Sequence, residues 1–378
     1  MKIGVMLRHL DQHGGGVLQY TKTIARSLLA MDQTNEYVLM YRNPKYLGTY
    51  ADGERVRELC VRSPSTLLWD QVAVPWMERK ERPDVIFNPK FSLPLFAGAR
   101  SVFVCHGLDW YVMPWGSRWH DRLSHRYLVP RYAKMADAII AVSETARRHA
   151  IQYWRVPEDK IHTIYLGIDP NFSEPVPEHE LERVRDRYGL PARFFLFAGQ
   201  IFPNKNFGRL IEAYARVGPQ LGVPLVVAGT HTFGSEREIA LIDELGISKW
   251  VKQLGWIDRG VLPSLYRLAH AVLFPSLYEA CPSPILEAFA TETPLLTSSV
   301  YGTGELAADG AVLVDPEDID DISAGIRTVA TDGEVRNRII EAGRQRLRDF
   351  DWNQCARKTL EVLESVCEHR EPSLLATR

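Results

Sequence analysis

The sequence predicts an α/β protein of two doubly wound domains that face each other across a cleft. Short runs that are apolar on both faces occur in the first half as KIGVML, SVFVCH and DAIIAVS, and in the second half as FFLFAG, PLVVAG, AVLFPS and TPLLTSS. Amphipathic segments of helix length separate these runs, which is typical of a parallel sheet covered by helices on both faces. Between the halves, GIDPNFSEPVPEHE carries Pro170, Pro175 and Pro177, which exclude a central strand or helix interior and predict a linker.

The composition is that of a globular protein with no charge bias. Of the 378 residues, 46% are hydrophobic and 24% are charged, and the formal net charge is -2. This balance gives no reason to expect nucleic acid as a partner. The five cysteines are scattered without a C-x-x-C pair, so we expect neither a disulfide framework nor a zinc cluster. No apolar run reaches the length of a membrane span and the start is charged, so we expect a cytoplasmic protein, at most peripheral at the inner face of the membrane.

The candidate site residues follow the apolar runs, because open α/β sheets bind ligands at the carboxyl ends of their strands. After the first run, Gly14, Gly15 and Gly16 precede an amphipathic helix. Glycines let the backbone approach a ligand, and the free amides of a helix start can face an anion. The spacing is not G-x-G-x-x-G, so a flexible turn is an equal alternative.

Two further strand ends carry single candidates. His106 closes the run SVFVCH, a position that favours function over the structural role that a lone histidine often has. Lys205 lies in the loop after FFLFAG and near a helix start, where a lysine suits a phosphate group as a point charge. The alternative for Lys205 is a solvated loop lysine.

The stretch FPSLYEACPSPILEAFA places two carboxylates around a turn that follows the strand AVLFPS. Ser283 is the expected N-cap with Pro284 as the first helical residue, so the helix start would offer amides to an anion. Glu287 is then expected in the first helical turn and Glu279 in the loop before it. Each carboxylate can accept hydrogen bonds from neighbouring hydroxyls of a ribose or hexose, which favours a nucleotide sugar as ligand. The alternative is a helix-capping acid and a surface acid.

With these features the chain resembles the retaining glycosyltransferases of family four, which have the GT-B fold of two Rossmann-like domains. The likeness covers nearly the whole chain and is carried by HGGGVLQY, VCHGLDW, ADAIIAVSETA, IHTIYLGID, AGQIFPNKNFGRLIEAY, LGWIDRGVLPSLYRLAHAVLFPSLYEACPSPILEAFA and GELAADGAVLVDP. It implies an N-terminal acceptor domain over residues 1–172 and a donor domain over 173–350. Residues 351–378 would form a helix that returns to the first domain, followed by a tail.

The resemblance also implies roles for the second-half candidates. Lys205 would bind the donor diphosphate, Glu287 the ribose, and Glu279 the transferred sugar near its reacting carbon. Where many relatives have basic residues, this chain has Gln200 and Asn204, so the leaving group would depend more on Lys205 and the helix amides. Many relatives have glycine where Pro282 stands, and proline has no N–H to donate. Donor contacts through that turn would therefore use Ala280, Cys281, Ser283 or Ile285.

In the first half, the resemblance implies that His106 lines the sugar and acceptor side. Gly15 and Gly16 would let the N-terminal domain close on the diphosphate. No cofactor and no metal are expected. The two D-x-D patterns, at 318–320 and 349–351, lie where a helix and the returning segment begin, and acids at a helix start complement its dipole.

Residues 115–134 predict a helix with a basic stripe beside an aromatic one. Arg118, Arg122 and Arg126 recur every four residues, and so do the apolar positions Trp115, Trp119, Leu123 and Tyr127. We favour a core-facing helix with a solvated edge. The alternative is a surface for a lipid-linked acceptor or for membrane headgroups.

These expectations predict a metal-independent, retaining glycosyltransferase. It would move a sugar, with mannose as first choice, from a nucleoside-diphosphate donor to a hydroxyl of a glycan or lipid-linked acceptor in cell-surface polysaccharide synthesis. GDP-mannose as donor follows from the resemblance alone, and a UDP-sugar is the next candidate. Two alternatives are a sugar-nucleotide epimerase of similar build and a non-catalytic nucleotide-sugar-binding protein.

Overall fold

The chain forms two compact α/β units in the computed structural model. It describes residues 1–12, 14–50, 53–116, 119–232 and 235–368, with backbone alone for residues 116 and 119–121. Unit 1 comprises Met1–Leu108, Arg118–Gly167 and Asp351–Arg378, and unit 2 comprises Asp109–Ser117 and Ile168–Phe350. Each unit is built around its own sheet.

Unit 1 contains a sheet of seven strands within the described residues, in the order β3-β2-β1-β4-β5-β6-β7. Every neighbouring pair in it is parallel. The strands are Lys2–Met6 (β1), Glu36–Tyr41 (β2), Val56–Cys60 (β3), Val85–Asn88 (β4), Arg100–Cys105 (β5), Ala138–Ala141 (β6) and Ile161–Thr163 (β7).

Helices cover this sheet, and the last helix of the chain returns to it. Their bounds are Gly16–Met31 (α1), Thr66–Leu68 (α2), Val74–Glu81 (α3), Trp119–Tyr127 (α5), Val129–Met135 (α6), Glu144–Trp154 (α7) and Trp352–Glu368 (α16), while the short Asp109–Val112 (α4) is grouped with unit 2. The returning helix packs tightly, since a Cβ on Gly167 would lie 2.3 Å from the backbone nitrogen of Trp352.

Unit 2 contains a sheet of six parallel strands in the order β10-β9-β8-β11-β12-β13, again counted over the described residues. Its strands are Phe195–Ala198 (β8), Leu225–Ala228 (β9), Val251–Gly255 (β10), Ala271–Phe274 (β11), Leu295–Ser298 (β12) and Val312–Val314 (β13). Its helices are Glu178–Tyr188 (α8), Phe207–Leu221 (α9), Glu236–Glu244 (α10), Leu262–Leu268 (α11), Ser283–Ala290 (α12), Tyr301–Ala307 (α13), Ile319–Thr331 (α14) and Gly333–Arg346 (α15).

The predicted fold class is confirmed: both units are parallel sheets covered by helices, and each of the apolar runs forms a strand. The four strands that end the two sheets, β3, β7, β10 and β13, are only partly buried and were not predicted. A strand at the edge of a sheet has a neighbouring strand on one side only and is less covered by helices, so its sequence is not apolar throughout. The largely buried interior strands β2 and β4 were not predicted either.

The chain leaves unit 1 after Gly167, five residues before the boundary expected at residue 172. Residues 168–172 group with unit 2, because Asp169 accepts a hydrogen bond from Arg259 at 2.9 Å and the ring of Phe172 contacts that of Tyr266. Residues 109–117 also group with unit 2, although the prediction placed them in the first domain.

The single helix predicted over residues 115–134 does not form. Trp115 lies in a short 3-10 turn, Pro114–Gly116, and the remainder divides into α5 and α6, the latter beginning with Val129 and Pro130. Trp115, Leu123 and Tyr127 are exposed, so the core-facing interpretation is wrong for these three residues. Arg118 and the side chain of Trp119 lie outside what the structure describes.

Over the residues that the structure describes, no helix is both long and apolar enough to cross a membrane.

Candidate active site

Lys205 is held beside the carboxyl end of β8 by a sequence of tight turns. Gly199 ends the strand with a φ of 137°, and a Cβ on Gly229, after β9, would lie 1.9 Å from the Gly199 carbonyl oxygen. Pro203–Lys205 then form a 3-10 turn, and Asn206 takes a φ of 59° before α9 begins. The buried Asn206 amide donates to the carbonyls of Pro275 at 3.0 Å and Pro316 at 2.7 Å. The turn is thereby tied to the loops that follow β11 and β13.

The structure brings Lys205 and Glu279 into direct contact. Lys205 Nζ lies 2.5 Å from Glu279 Oε1, and both side chains are largely buried. Asn204 Nδ2 donates to the same carboxylate oxygen at 3.1 Å and to the Tyr278 carbonyl at 3.1 Å. Lys205 Nζ also lies 4.6 Å from the centre of the Phe274 ring. A cation and a carboxylate therefore share one fixed position at the end of the sheet.

The helix after β11 begins one residue earlier than predicted. Ser283 is its first residue and Pro282 occupies the cap position with φ -75° and ψ 113°, so the expected Ser283 cap and Pro284 start are wrong by one position. The φ that the Pro282 ring fixes is compatible with this position, and its side chain has no acceptor for a capping bond.

The turn before this helix determines which amides can face a ligand. The Ile285 amide donates to the Pro282 carbonyl at 3.2 Å, and the Ile285 side chain is buried, so that predicted donor is already engaged. Ser283 is exposed, and its amide has no hydrogen-bond partner in the described part of the protein. Cys281 is partly exposed in the same turn. The Ser283 amide is therefore better placed than the Ile285 amide to bind a ligand.

Glu287 lies in the second turn of α12, not the first, and is only 3% exposed. Its Oε2 accepts a hydrogen bond from the Tyr266 hydroxyl at 2.8 Å, and its Oε1 accepts one from Arg259 at 3.2 Å. Arg259 also donates to Asp169 at 2.9 Å and stacks over the ring of Phe172. Both carboxylate oxygens therefore have a hydrogen-bond donor, as a buried charged group requires.

This network shifts the pKa values of its members. Burial alone would lower the pKa of Arg259, but the charges and hydrogen bonds of Glu287 and Asp169 outweigh it and the pKa is raised. Burial, followed by the charge of Glu287, raises the pKa of Tyr266 well above its usual value. Both groups therefore stay protonated as hydrogen-bond donors to the carboxylates.

In unit 1, His106 lies at the carboxyl end of β5 as predicted. Its Nε2 contacts the Pro89 carbonyl oxygen at 2.7 Å, so this nitrogen carries the proton and Nδ1 is the acceptor of the neutral ring. Burial lowers the pKa of His106 to about 4, which outweighs the opposing effect of the hydrogen bond to Pro89. His106 is therefore neutral at pH 7, and it can accept a hydrogen bond but cannot act as a general acid there.

A polar cluster beside His106 was not predicted from the sequence. Arg8 forms an ion pair with buried Asp70 at 2.8 Å and donates to Ser92 at 3.1 Å. His9 is 1% exposed, and its burial and the nearby charge of Arg8 hold its pKa well below the ordinary value. One feature of the sequence could have predicted this cluster: Arg8 and His9 come just after a buried strand.

Gly15 and Gly16 stand at the start of α1 with open space around them. Gly15 has a φ of 94°, which favours glycine, and a Cβ on either residue would meet nothing within 4 Å. The turn therefore leaves room for a ligand group close to the backbone.

The D-x-D patterns cap helices, as the sequence suggested. Asp318 accepts hydrogen bonds from the amides of Asp320 and Asp321 at the start of α14, and Asp351 does so from Gln354 at the start of α16. Within the described ranges, no three His, Cys, Asp or Glu side chains meet as metal ligands. The absence of a functional metal stays a prediction.

Sequence reasoning missed the residues that position the two glutamates. Asn204 was noted only as a departure, and Arg259, Asp169 and Tyr266 were not singled out at all.

This arrangement suits the transfer of a group from a phosphate. Lys205 and a helix start supply fixed positive charge, which stabilises a leaving phosphate, while the two carboxylates accept hydrogen bonds from hydroxyl groups. Two units built on parallel sheets, one of which carries Lys205 and the two glutamates at its strand ends, are the architecture of a glycosyltransferase of the GT-B class.

The family comparisons agree with this class. The sequence model described as Glycosyl transferases group 1 matches residues 182–346, and the one described as Glycosyltransferase Family 4 matches residues 14–172. The chain belongs to the group 1 glycosyltransferases of family four.

Its curated relatives include several named for mannosyl transfer. The chain is 27% identical to the O-antigen chain mannosyltransferase B of Escherichia coli over 291 residues, which is 75% of each chain. It is 28% identical to the MMP alpha-(1->4)-mannosyltransferase of Mycolicibacterium hassiacum over 262 residues, which is 68% of this chain and 60% of that enzyme.

Solved structures show the same fold at lower identity. Alr3699/HepE from Anabaena, in complex with UDP and glucose, superposes with a TM-score of 0.76 at 20% identity, covering 97% of this chain and 100% of that one. WaaG, a glycosyltransferase involved in lipopolysaccharide biosynthesis, superposes with a TM-score of 0.71 at 16% identity, covering 96% of this chain and 99% of that one.

Proposed function

We propose that this glycosyltransferase transfers mannose, with retention of configuration, from a nucleoside-diphosphate sugar to a hydroxyl of a glycan or lipid-linked acceptor. The observation that carries the proposal is the contact of Lys205 with Glu279 at 2.5 Å beside the start of α12. Mannose is supported by the names of the relatives above, and cell-surface polysaccharide synthesis by the O-antigen enzyme among them. A nucleotide-sugar donor agrees with the UDP and glucose in Alr3699/HepE.

Lys205 and the Ser283 amide would bind the diphosphate of the donor. Lysine has three N–H donors, of which one reaches Glu279, so others can reach phosphate oxygens. Cys281 belongs to the same turn, whereas Ile285, with its amide engaged and its side chain buried, has no group free to contact the diphosphate. In the transition state these donors would stabilise the charge that develops on the leaving phosphate.

Glu279 would hold the transferred sugar and keep its reacting carbon next to the diphosphate. Its Oε1 already accepts from Lys205 and Asn204, which leaves Oε2 to accept from sugar hydroxyls. The acceptor hydroxyl would attack the reacting carbon on the face that the phosphate leaves. Its proton would pass to the departing phosphate oxygen, so that a glycosidic bond forms as the sugar–phosphate bond breaks.

Glu287 would accept hydrogen bonds from the ribose hydroxyls. Each of its oxygens accepts one bond from the protein, from Arg259 or Tyr266, and each keeps a second lone pair for a ribose hydroxyl. Arg259→Ala should therefore weaken diphosphate binding about ten-fold, because the carboxylate loses its orientation.

Arg267 is the matched control for Arg259. It is an arginine of α11 that donates to the carbonyls of Phe172 and Glu174 and, in the part of the chain that the structure describes, forms no hydrogen bond or ion pair with Glu287. Arg267→Ala should cost stability but leave diphosphate affinity intact in titration calorimetry. Equal losses of affinity in both variants would mean that Glu287 acts through the fold and not on ribose.

From unit 1 we propose His106, through Nδ1, as a contact for sugar or acceptor hydroxyls. Gly15 and Gly16 are proposed to receive the diphosphate. The protein would work in the cytoplasm without a cofactor. Exposed Leu123 and Tyr127 keep residues 115–134 as a candidate contact for a lipid-linked acceptor or for headgroups at the inner face of the membrane.

A panel of nucleotide sugars distinguishes this proposal from its rivals. A ligand bound by the native state alone raises the melting temperature, so a thermal shift identifies the donor. Release of nucleoside diphosphate with an acceptor present supports transfer, formation of an epimer supports an epimerase, and binding without turnover supports a non-catalytic protein. We expect activity to persist in EDTA, and a complete loss that manganese or magnesium restores would overturn the metal-independent mechanism.

A further inference from the structure

An aromatic contact joins helix α1 to the candidate histidine of unit 1. Tyr20 of α1 is 1% exposed, and the centre of its ring lies 4.9 Å from that of the His106 imidazole, with the two planes at 81°. A nearly perpendicular arrangement at this distance is a favourable geometry for a pair of aromatic rings. Tyr20 therefore supports a side chain that lies at the carboxyl end of β5 and is itself partly exposed.

The imidazole needs this second support because its hydrogen bond to the protein leaves one rotation open. Nε2 of His106 donates to the Pro89 carbonyl at 2.7 Å, which fixes the tautomer and the position of one nitrogen. The torsion that turns a histidine ring about its Cβ–Cγ bond has broad minima, so packing must select the plane of the ring. The Tyr20 ring stands against the imidazole and supplies that packing. The direction of Nδ1 is therefore set by both contacts together.

Tyr20 is itself held by the returning helix α16. The centre of the Trp352 ring lies 5.9 Å from that of the Tyr20 ring. Burial, followed by the nearby thiol of Cys355, raises the pKa of the Tyr20 hydroxyl well above its usual value, so the side chain stays neutral. A buried ring that packs on a neighbouring helix has few alternative positions, because protein interiors are closely packed. Tyr20 is therefore a rigid support for the imidazole.

The same helix carries the glycine turn. Gly15 stands at the cap position of α1 and Gly16 is its first residue. Tyr20 follows Gly16 by slightly more than one helical turn, a rise of about 6 Å. The backbone proposed to receive the diphosphate and the ring that supports His106 therefore belong to one element. The distance between the glycine turn and this ring is fixed by the helix itself.

We propose that Tyr20 is a positioning residue for transfer, whose ring orients the His106 imidazole so that Nδ1 faces a hydroxyl of the sugar or acceptor. Tyr20 is buried and does not contact the ligand, so it acts through His106 alone. The inference rests on the proposed role of His106 in transfer. A role in the core alone would require only an apolar side chain of similar volume, which leucine also provides. The two roles therefore differ in what a leucine at this position does to His106.

The first measurement observes His106 directly and needs no substrate. NMR titration of the full chain with labelled histidine gives the pKa of His106, whose signal is identified by its loss in His106→Gln. Tyr20→Leu should admit water to the imidazole and raise this pKa from about 4 towards its ordinary value. Tyr20→Phe keeps the ring and should leave the pKa unchanged. Lys90, whose charge also lowers the His106 pKa, is present in every variant.

The second measurement is turnover with GDP-mannose, or with the UDP-sugar that the nucleotide-sugar panel selects. Tyr20→Leu should lower kcat about ten-fold, as should His106→Ala, because the reacting hydroxyl loses a hydrogen bond that orients it. Adding Tyr20→Leu to His106→Ala should lower kcat no further, since a residue that acts through His106 has nothing left to position. Affinity for the nucleoside diphosphate, measured by titration calorimetry, should stay the same in Tyr20→Leu. Tyr20→Phe should recover most of the lost kcat.

Tyr37→Leu is the matched control. Tyr37 is also 1% exposed, but it lies near the start of β2, and its hydroxyl donates to Asp32 at 2.6 Å. The substitution should lower the free energy of unfolding without changing kcat or the pKa of His106. Urea unfolding should confirm that each variant folds. Tyr20→Met takes the place of Tyr20→Leu if the leucine variant does not fold, because methionine fills irregular gaps in a core.

Three outcomes would overturn the proposal. One is an unchanged His106 pKa and kcat in Tyr20→Leu, which would leave Tyr20 as a core residue. Another is a loss of kcat that adds to that of His106→Ala, or that comes with an equal loss of diphosphate affinity, which would mean that Tyr20 acts through the fold. The third is an equal loss of kcat in Tyr20→Phe, which would assign the effect to the hydroxyl. A fully active His106→Ala would instead refute the proposed role of His106 and this inference with it, whereas the three outcomes leave that role standing.

Discussion

At the scale of single residues, the site depends on which partner each charged group already has. Lys205 and Glu279 compensate each other, whereas Glu287 is compensated by Arg259 and Tyr266. A phosphate that binds to the other N–H donors of Lys205 therefore lies near the Glu279 carboxylate, which repels it. A ligand that binds to Glu287 meets a carboxylate that its neighbours have already oriented.

The first prediction concerns this repulsion between Glu279 and the phosphate. Lys205→Ala should lower affinity for the nucleoside diphosphate about ten- to a hundred-fold, because a hydrogen bond to a charged group is lost. Glu279→Gln should leave that affinity equal or raise it, since the repelling charge is gone, but should lower kcat because the sugar is misplaced. Titration calorimetry and steady-state kinetics measure the two effects. Lys249→Ala, on the exposed surface of unit 2, is the control. A parallel fall of diphosphate affinity in the Lys205 and Glu279 variants would contradict the assignment.

The second prediction follows from the neutral His106. As pH falls, the unfolded chain takes up a proton near 6.5 while folded His106 stays neutral until its pKa of about 4. The free energy of unfolding should therefore be lower at pH 5 than at pH 7, and His106 alone contributes up to roughly 2 kcal/mol of that loss. His9, whose pKa is also lowered, adds to it in the same direction.

Urea unfolding at pH 7 and pH 5 checks this prediction. His106→Gln removes one titrating group but keeps an N–H donor for the Pro89 carbonyl. The variant should lose less stability between the two pH values than the wild type. An identical loss in both proteins would show that His106 is not the group that titrates.

At the scale of elements, the turn before α9 depends on one side chain. Asn206 combines a left-handed backbone with two hydrogen bonds to the carbonyls of Pro275 and Pro316. Asparagine tolerates this φ better than most residues and also provides the buried donor. Its neighbour Lys205 is thereby fixed relative to the loop that carries Glu279.

The third prediction separates these two contributions of Asn206. Asn206→Gly and Asn206→Ala both leave the carbonyls of Pro275 and Pro316 without a donor, which should cost about 2–4 kcal/mol. Alanine must also adopt the left-handed conformation, so it should be about 1 kcal/mol less stable than glycine. Urea unfolding of the three proteins measures both differences. Equal stability of the two variants would mean that the backbone is not held in this conformation.

At the scale of the whole molecule, unit 1 is completed by a helix that is far from the rest of the unit in sequence. The returning helix α16 begins at Trp352, whose ring lies 5.9 Å from that of Tyr20. Gly167 admits this approach because it has no Cβ. The ends of the chain therefore belong to one unit, and its stability depends on both.

The fourth prediction tests this closure. In Gly167→Ala the new Cβ would lie 2.3 Å from the Trp352 backbone nitrogen, a clash that no side-chain rotation relieves. We expect a loss of about 2 kcal/mol or more, with faster amide hydrogen exchange in α16. Gly14→Ala is the control, because a Cβ there meets nothing within 4 Å. Unchanged exchange in α16 would show that this contact does not hold the helix.

The sequence by itself determined the fold class and selected the candidate site. Strands buried on both faces must be apolar throughout, so runs such as FFLFAG and AVLFPS identified both sheets, and the residues after them identified Lys205, Glu279 and Glu287. These are local signals, because they depend on periodicity and on the residue that follows a strand.

Only the tertiary structure decided the partners of those residues. Arg259 meets both Glu287 and Asp169, and Lys205 meets Glu279, through contacts that span from 28 to 90 positions in sequence. Asn204 was noted only because many relatives have a basic residue there, and the structure shows that its side chain donates a hydrogen bond to Glu279. No local pattern encodes such pairs, because they form where separate loops converge at the end of one sheet.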